Sequence, residues 1–99
     1  MIIFNVIQDN EDLAEQISMF AIDKNYAIQT HVDVNTVITS KGKSQTIRLF
    51  FITKALLYDE IEKEIKAKFY KDGMLIYADP VSHINEEFGD ILRKQIKAI

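Results

Sequence analysis

The run from Tyr26 to Lys54, YAIQTHVDVNTVITSKGKSQTIRLFFITK, restricts the fold of this chain more than any other stretch. Strand-favouring residues alternate with polar ones, Ser40-Lys41-Gly42-Lys43 turns the chain, and a second strand-like run leads to Thr53. On a pleated strand Ile28, Thr30, Val32, Val34, Thr36 and Ile38 share one face. Gln29, His31, Asp33, Asn35 and Thr39 share the other, with Val37 the apolar exception. At roughly 3.4 Å per residue the first arm would span about 40 Å, more than a small sheet can pair along its length. The distal half is expected to bend or to reach a neighbouring subunit.

The elements around this hairpin follow from periodicity and punctuation. Ile2 to Gln8 reads as a strand ended by Asp9-Asn10. A helix follows, capped by Asn10 or Asp9, with Glu11 and Asp12 suited to its positive end. Leu13, Ile17, Phe20 and Ala21 form its inner stripe, and Lys24-Asn25 closes it. A second helix is expected from about Ala55 to Lys71, with Leu57, Ile61, Ile65 and Phe69 inward and Asp72-Gly73 as its cap. Met74 to Ala78 is a fourth strand stopped by Pro80. A third helix is capped by Asn85 and has an inner stripe of Phe88, Ile91, Leu92, Gln95, Ile96 and Ile99.

With right-handed crossovers the order β-α-β-β-α-β-α gives a single α+β domain over residues 1–99. The class is ferredoxin-like βαββαβ with an extra C-terminal helix, an antiparallel sheet of order 4-1-3-2 and a long hairpin between the second and third strands. The first two helices cover one sheet face. On the other face a half-solvated strand should turn polar. Yet Ile3 and Ile7 back Ile2, Phe4 and Val6; Phe50 and Ile52 back Leu49 and Phe51; Leu75 and Tyr77 back Met74 and Ile76. A bare apolar face of several hundred Å² is unusual for a monomer, so self-association is expected.

Composition removes several function classes. Apolar residues make up 47% and charged residues 27% of the chain, a globular balance rather than a disordered one. Net charge is −3, and the lysines are interleaved with acids, as in Glu62-Lys63-Glu64-Ile65-Lys66, so nucleic acid is not an expected partner. There is no cysteine, which excludes disulfides, a thiol nucleophile and thiolate metal sites. The N-terminus lacks the basic start and long apolar run of a signal peptide. No run approaches the ~20 apolar residues that a membrane helix needs. A cytoplasmic protein with no membrane partner is expected.

Candidate chemistry is sparse. His31, Asp33 and Asn35 lie on one strand face about 7 Å apart in steps of two, so a divalent metal could bridge His31 and Asp33. A tight site needs three or four ligands, and symmetry in an oligomer could supply the others. The competing reading is a polar sheet face making cross-strand or interface hydrogen bonds. His83, near Asp79 and ahead of a helix start, is either a further ligand or a loop histidine. Tyr70 and Tyr77 are read as packing residues with a polar tip. No Ser-His-Asp order, glycine-rich phosphate loop or metal-binding helix motif is present, so an enzyme is not expected.

At the level of motifs the chain resembles the CutA divalent-cation tolerance family over nearly its whole length. Asn10-Glu11-Asp12-Leu13-Ala14-Glu15-Gln16-Ile17 is similar to the family's N-E-E-E-A-E-K-I, and Gly42-Lys43 to its G-K hairpin tip. Leu49-Phe50-Phe51-Ile52-Thr53 resembles L-L-I-I-K-T, and Leu57 to Lys66 resembles L-F-E-E-L-K-E-R-I-K. Ile76 to Val81 resembles I-I-A-L-P-I, and Asn85 to Leu92 resembles N-x-x-Y-L-x-W-L. The resemblance implies a cytosolic homotrimer of ferredoxin-like fold, involved in tolerance of or response to divalent metal such as copper or zinc, or acting through a protein partner. Positions linked to the family's cleft differ: Ile28 stands for its cysteine, Phe69-Tyr70-Lys71-Asp72 for its H-P-Y-E, Ile52 for its lysine, and its tryptophans are absent. Two further readings are a PII-like regulatory trimer with a small effector between subunits, and a scaffold module without a ligand. The first rests on a likeness of Asp72-Gly73-Met74-Leu75-Ile76-Tyr77 to Pro80-Val81 with G-K-I-F-V-x-P-V.

Overall fold

The computed structural model describes all residues, Met1–Ile99. Strand β1 covers Ile2–Gln8, helix α1 Glu11–Asp23, strand β2 His31–Thr39 and strand β3 Gly42–Thr53. A 3-10 turn at Ala55–Leu57 leads into helix α2, Tyr58–Phe69. Strand β4, Leu75–Pro80, and helix α3, Glu86–Gln95, complete the chain. All pairings are antiparallel and the sheet order is β2-β3-β1-β4, which is the expected 4-1-3-2 order of a ferredoxin-like α+β sheet. Both edges, β2 and β4, are unpaired within the chain. Pro80 fits there because an edge strand tolerates a missing donor.

Alternation along the central strands assigns the two faces. Phe4 and Val6 of β1 and Leu49 and Phe51 of β3 are buried, and they form one cluster with Ile17 and Ala21 of α1 and Ile61 and Ile65 of α2. The Phe4 and Phe51 rings stack 5.3 Å apart. Leu92 and Ile96 bring the end of α3 into the same cluster. Lys54 Nζ, donating to the carbonyls of Ile96 and Lys97, and the Lys97 amide, donating to the Asn25 carbonyl, clasp the chain end to the body.

Several boundaries differ from the sequence reading. The second strand starts at His31, so its arm is shorter than the pattern from Ile28 implies. Tyr26 and Ala27 are buried and both of their amides donate to the Ala21 carbonyl, which ties them to the end of α1 rather than to a ladder. Ladder pairing also stops at His31↔Phe50, because β3 beyond Phe50 pairs only with β1. At its other end α1 keeps its expected cap, since Asn10 Oδ1 accepts from the Leu13 amide at 3.0 Å, while Asn25 takes the left-handed conformation at φ 60°. Gly73, with φ 87°, is not the cap of α2, which ends at Phe69. It occupies the third position of a turn closed by Met74 N–H to Lys71 C=O, where a positive φ favours glycine. Asn85 precedes α3 but makes no capping bond; its side chain donates instead to Glu87. Ile91 and Ile99 leave the inner stripe of α3 and are exposed.

A polar chain across the open sheet face: candidate functional site

The face away from α1 and α2 carries Ile3, Asn5 and Ile7 of β1, and Arg48, Phe50 and Ile52 of β3. Asn5 sits in the middle of the apolar run Ile2–Ile7 and is fully buried, where an unsatisfied amide would be costly. Its partners come from both neighbouring strands. Arg48 Nε donates to Asn5 Oδ1 at 3.0 Å, and Asn5 Nδ2 donates to Asp79 Oδ2 at 3.3 Å. Arg48 also approaches Asp33 of β2, with Nη1–Oδ2 at 3.6 Å. The result is one chain, Asp33–Arg48–Asn5–Asp79, that crosses β2, β3, β1 and β4 in sheet order.

Phe50 supports this chain. The Arg48 guanidinium lies 4.2 Å from the centre of its ring, and His31, its direct cross-strand partner, stacks on it at 4.9 Å and 17°. The Gln29 amide nitrogen is 3.2 Å from His31 Nε2. At one corner of the face Phe88 of α3 meets Ile28, Gln29, His31 and Ile52 around a small cavity. No other layer of this chain covers the face. Leu75, on this face of β4, is 51% exposed.

The sequence candidates fall into separate settings. His31 and Asp33 lie on the open face as alternate β2 residues, but Asp33 is turned to Arg48 and His31 to Phe50. His83 is exposed in the segment between β4 and α3. No three or more His, Asp or Glu residues group within the chain in a way that could hold a metal ion. Arg48 and Asn5 are the residues that reading by strand faces missed. Their signal was present: each is a lone polar residue inside a run otherwise apolar on both sides.

A second polar cluster joins the helices. Glu60 Oε2 accepts from the Tyr26 hydroxyl at 2.6 Å and also from the Lys97 ammonium. The Lys97 bond, with the Tyr26 bond second, holds the Glu60 carboxyl below its usual range. Burial, reinforced by Glu60, raises the Tyr26 phenol well above its ordinary value. Tyr58 and Glu62 repeat the motif within α2: burial, with the bond to Glu62, pushes the Tyr58 phenol up to about 12. Tyr70 is exposed and does not act as a packing residue, whereas Tyr77 is half-buried.

Fold and open face together define a ferredoxin-like sheet protein with an uncovered polar-crossed face and two free edges. Solved structures narrow that class. The chain superposes on CutA1 from Pyrococcus horikoshii with a TM-score of 0.87, at 18% identity, covering 99% of this chain and 100% of the other. It superposes on the periplasmic divalent cation tolerance protein CutA from Archaeoglobus fulgidus with a TM-score of 0.85, at 18% identity and 98% and 100% coverage. CutA from Synechococcus elongatus gives 0.85 at 11% identity, covering 96% and 92%. The chain therefore has the CutA fold from end to end. No protein-family model matches the chain, and no curated protein matches it in sequence. No helix is long and apolar enough to cross a membrane.

Proposed function

We propose that this chain is a CutA-type protein that works as a homotrimer in the response to divalent metal, by binding a metal or a protein partner rather than by catalysis. The observation that carries this reading is the end-to-end match to the P. horikoshii CutA1 fold, which leaves neither chain with an unmatched domain. The uncovered sheet face and the unpaired β2 and β4 edges support assembly. Eight of the nine β2 residues are exposed in the single chain, an arrangement that a neighbouring subunit would relieve. The cytoplasm is the proposed setting.

For a metal, the proposed ligands are His31 and Asp33 on one strand, with His83 or another group of a second copy completing the set, since one chain groups no three ligands. Copper or zinc would suit the imidazole. Arg48 competes for Asp33, so the metal must displace that ion pair.

Light scattering coupled to size-exclusion chromatography tests assembly: a trimer mass is expected, and a monomer at micromolar concentration overturns it. Calorimetric titration with Cu²⁺ and Zn²⁺ tests the metal. His31→Ala is expected to weaken binding at least tenfold. A trimer that binds neither ion overturns the metal part and leaves the partner-binding part.

A further inference from the structure

We propose that the outer face of α1 is a docking surface for a basic, amphipathic helix of a partner protein. α1 buries Ala14, Ile17, Ser18 and Ala21 against the sheet and α2. Its opposite face is not the plain polar surface that folding would require. Met19 is 55% exposed and Ile22 36%. They lie in or beside a shallow open groove lined by Asp12, Glu15, Gln16, Met19, Phe20 and Asp23.

Charge is what specifies the occupant. α1 carries Glu11, Asp12, Glu15 and Asp23 and no basic residue. None of these carboxylates takes part in the six ion pairs of the molecule. The helix dipole accounts for Glu11 and Asp12 in the first turn, but it opposes Asp23 in the last. The other two helices follow the dipole rule: α2 ends with Lys66 and Lys68, and α3 with Arg93 and Lys94. Bordering cations are already committed, Lys24 to Glu64 and Lys68 to the Phe20 ring. The groove therefore presents unpaired carboxylates around Met19 and Phe20, with the Lys68 ammonium at its border over the Phe20 ring.

Residues 12, 15, 16, 19 and 23 recur at helical spacing, so the stripe runs about 17 Å, or three turns. A partner helix laid along it would bury apolar side chains on Met19 and Ile22 while its lysines and arginines meet the flanking carboxylates. Nucleic acid and anionic membranes carry the wrong sign for this groove. α1 packs on the core side of the sheet, so this partner does not compete with a covering of the open face.

The test uses a fluorescent synthetic helix of lysine and leucine at amphipathic spacing, titrated by anisotropy against the full chain at low and at physiological salt. Saturable binding that weakens with salt is expected. The double variant Glu15→Lys/Asp23→Lys should lose affinity at least tenfold, and Met19→Asp should lose it comparably. Glu86→Lys, a charge reversal at an exposed position in the first turn of α3, should bind like wild type. Amide chemical-shift mapping on the unaltered chain should place the perturbations on residues 12–23, a readout that does not depend on any variant folding. Absence of saturable binding, perturbations centred elsewhere, equal loss in Glu86→Lys, or equal binding of a scrambled peptide of the same charge would each overturn the proposal.

Discussion

The two faces of the sheet are built from the same strands, offset by one residue, and follow opposite rules. On the helix side Phe4, Val6, Leu49 and Phe51 meet α1 and α2, and all four are at most 1% exposed; the buried polar residues of that side, Gln8, Ser18 and Thr53, form no chain across it. One residue along, Asn5, Arg48 and Phe50 form part of a polar chain linked from edge to edge. A dry, close-packed face fixes that the chain folds. A hydrogen-bonded polar face contributes less to stability but restricts what can lie against it, since a covering surface must respect its donors and acceptors. Polar groups inside an otherwise apolar interface can set register in this way. We therefore read the helix face as the source of stability and the open face as the source of specificity.

Truncating equivalent side chains on the two faces should separate these roles. Phe51→Ala removes a fully buried ring that stacks on Phe4 and should cost about 3–5 kcal/mol in urea unfolding. Phe50→Ala removes the adjacent half-buried ring and should cost less than half as much, while reducing the assembled fraction by light scattering. Equal costs would break the distinction between the faces. Arg48→Met comes next. It leaves Asn5 Oδ1 and Asp33 without their partner, a loss of about 1–3 kcal/mol in urea unfolding, and lowers the assembled fraction. Unchanged assembly in Arg48→Met would remove the polar chain from any role in register.

Much of the helix face was legible in the sequence because hydrophobic periodicity encodes it directly. Ile17 and Ala21 of α1, and Leu57, Ile61 and Ile65 ahead of and within α2, lie where helical spacing puts them. Sheet order followed from crossover handedness. Less legible was any boundary set by tertiary contacts: Tyr26 looks like a strand residue, but its ring and hydroxyl are committed to the core and Glu60. The polar chain was half visible. His31 and Asp33 stand out by spacing, but their partners Phe50 and Arg48 lie on another strand, and only the register brings them opposite. A ligand set read along one strand therefore missed the guanidinium that occupies one of its members. Asn85 shows the same limit locally, since a residue with the right type and place for a cap bonds Glu87 instead.

Smaller effects test the clasp between the helices, which lies on the core side and should behave as a stability device only. Tyr26→Phe removes one hydroxyl and leaves Glu60 bonded to Lys97, so a loss of about 1–2 kcal/mol in urea unfolding is expected. Assembly should not change. A shift in oligomer mass in Tyr26→Phe would show that the two sides of the sheet are coupled.

The last expectation concerns pH, and its two limbs have opposite signs. The Glu60 carboxyl is depressed by its Lys97 and Tyr26 bonds, and that of Glu62 by its Tyr58 bond, relative to an unfolded value of about 4.3. The unfolded chain then binds more protons in this range, so these groups stabilise the fold above that value and cease to do so as pH falls through their folded values. On the alkaline side burial raises Tyr58 to about 12 and drives Tyr26 further up. Their contribution is full below the unfolded phenol value of about 10 and is lost as pH rises from there toward the folded values. Unfolding midpoints followed by circular dichroism should therefore fall at both ends. Glu62→Gln should flatten the acid limb. Tyr58→Phe should flatten the alkaline limb and remove one late-titrating phenol from the absorbance curve. Both tyrosines bond their carboxylates on the core side, away from the polar chain, so assembly should follow these limbs only through unfolding. A loss of assembly at a pH where the fold is intact would place the responsible titration on the open face instead.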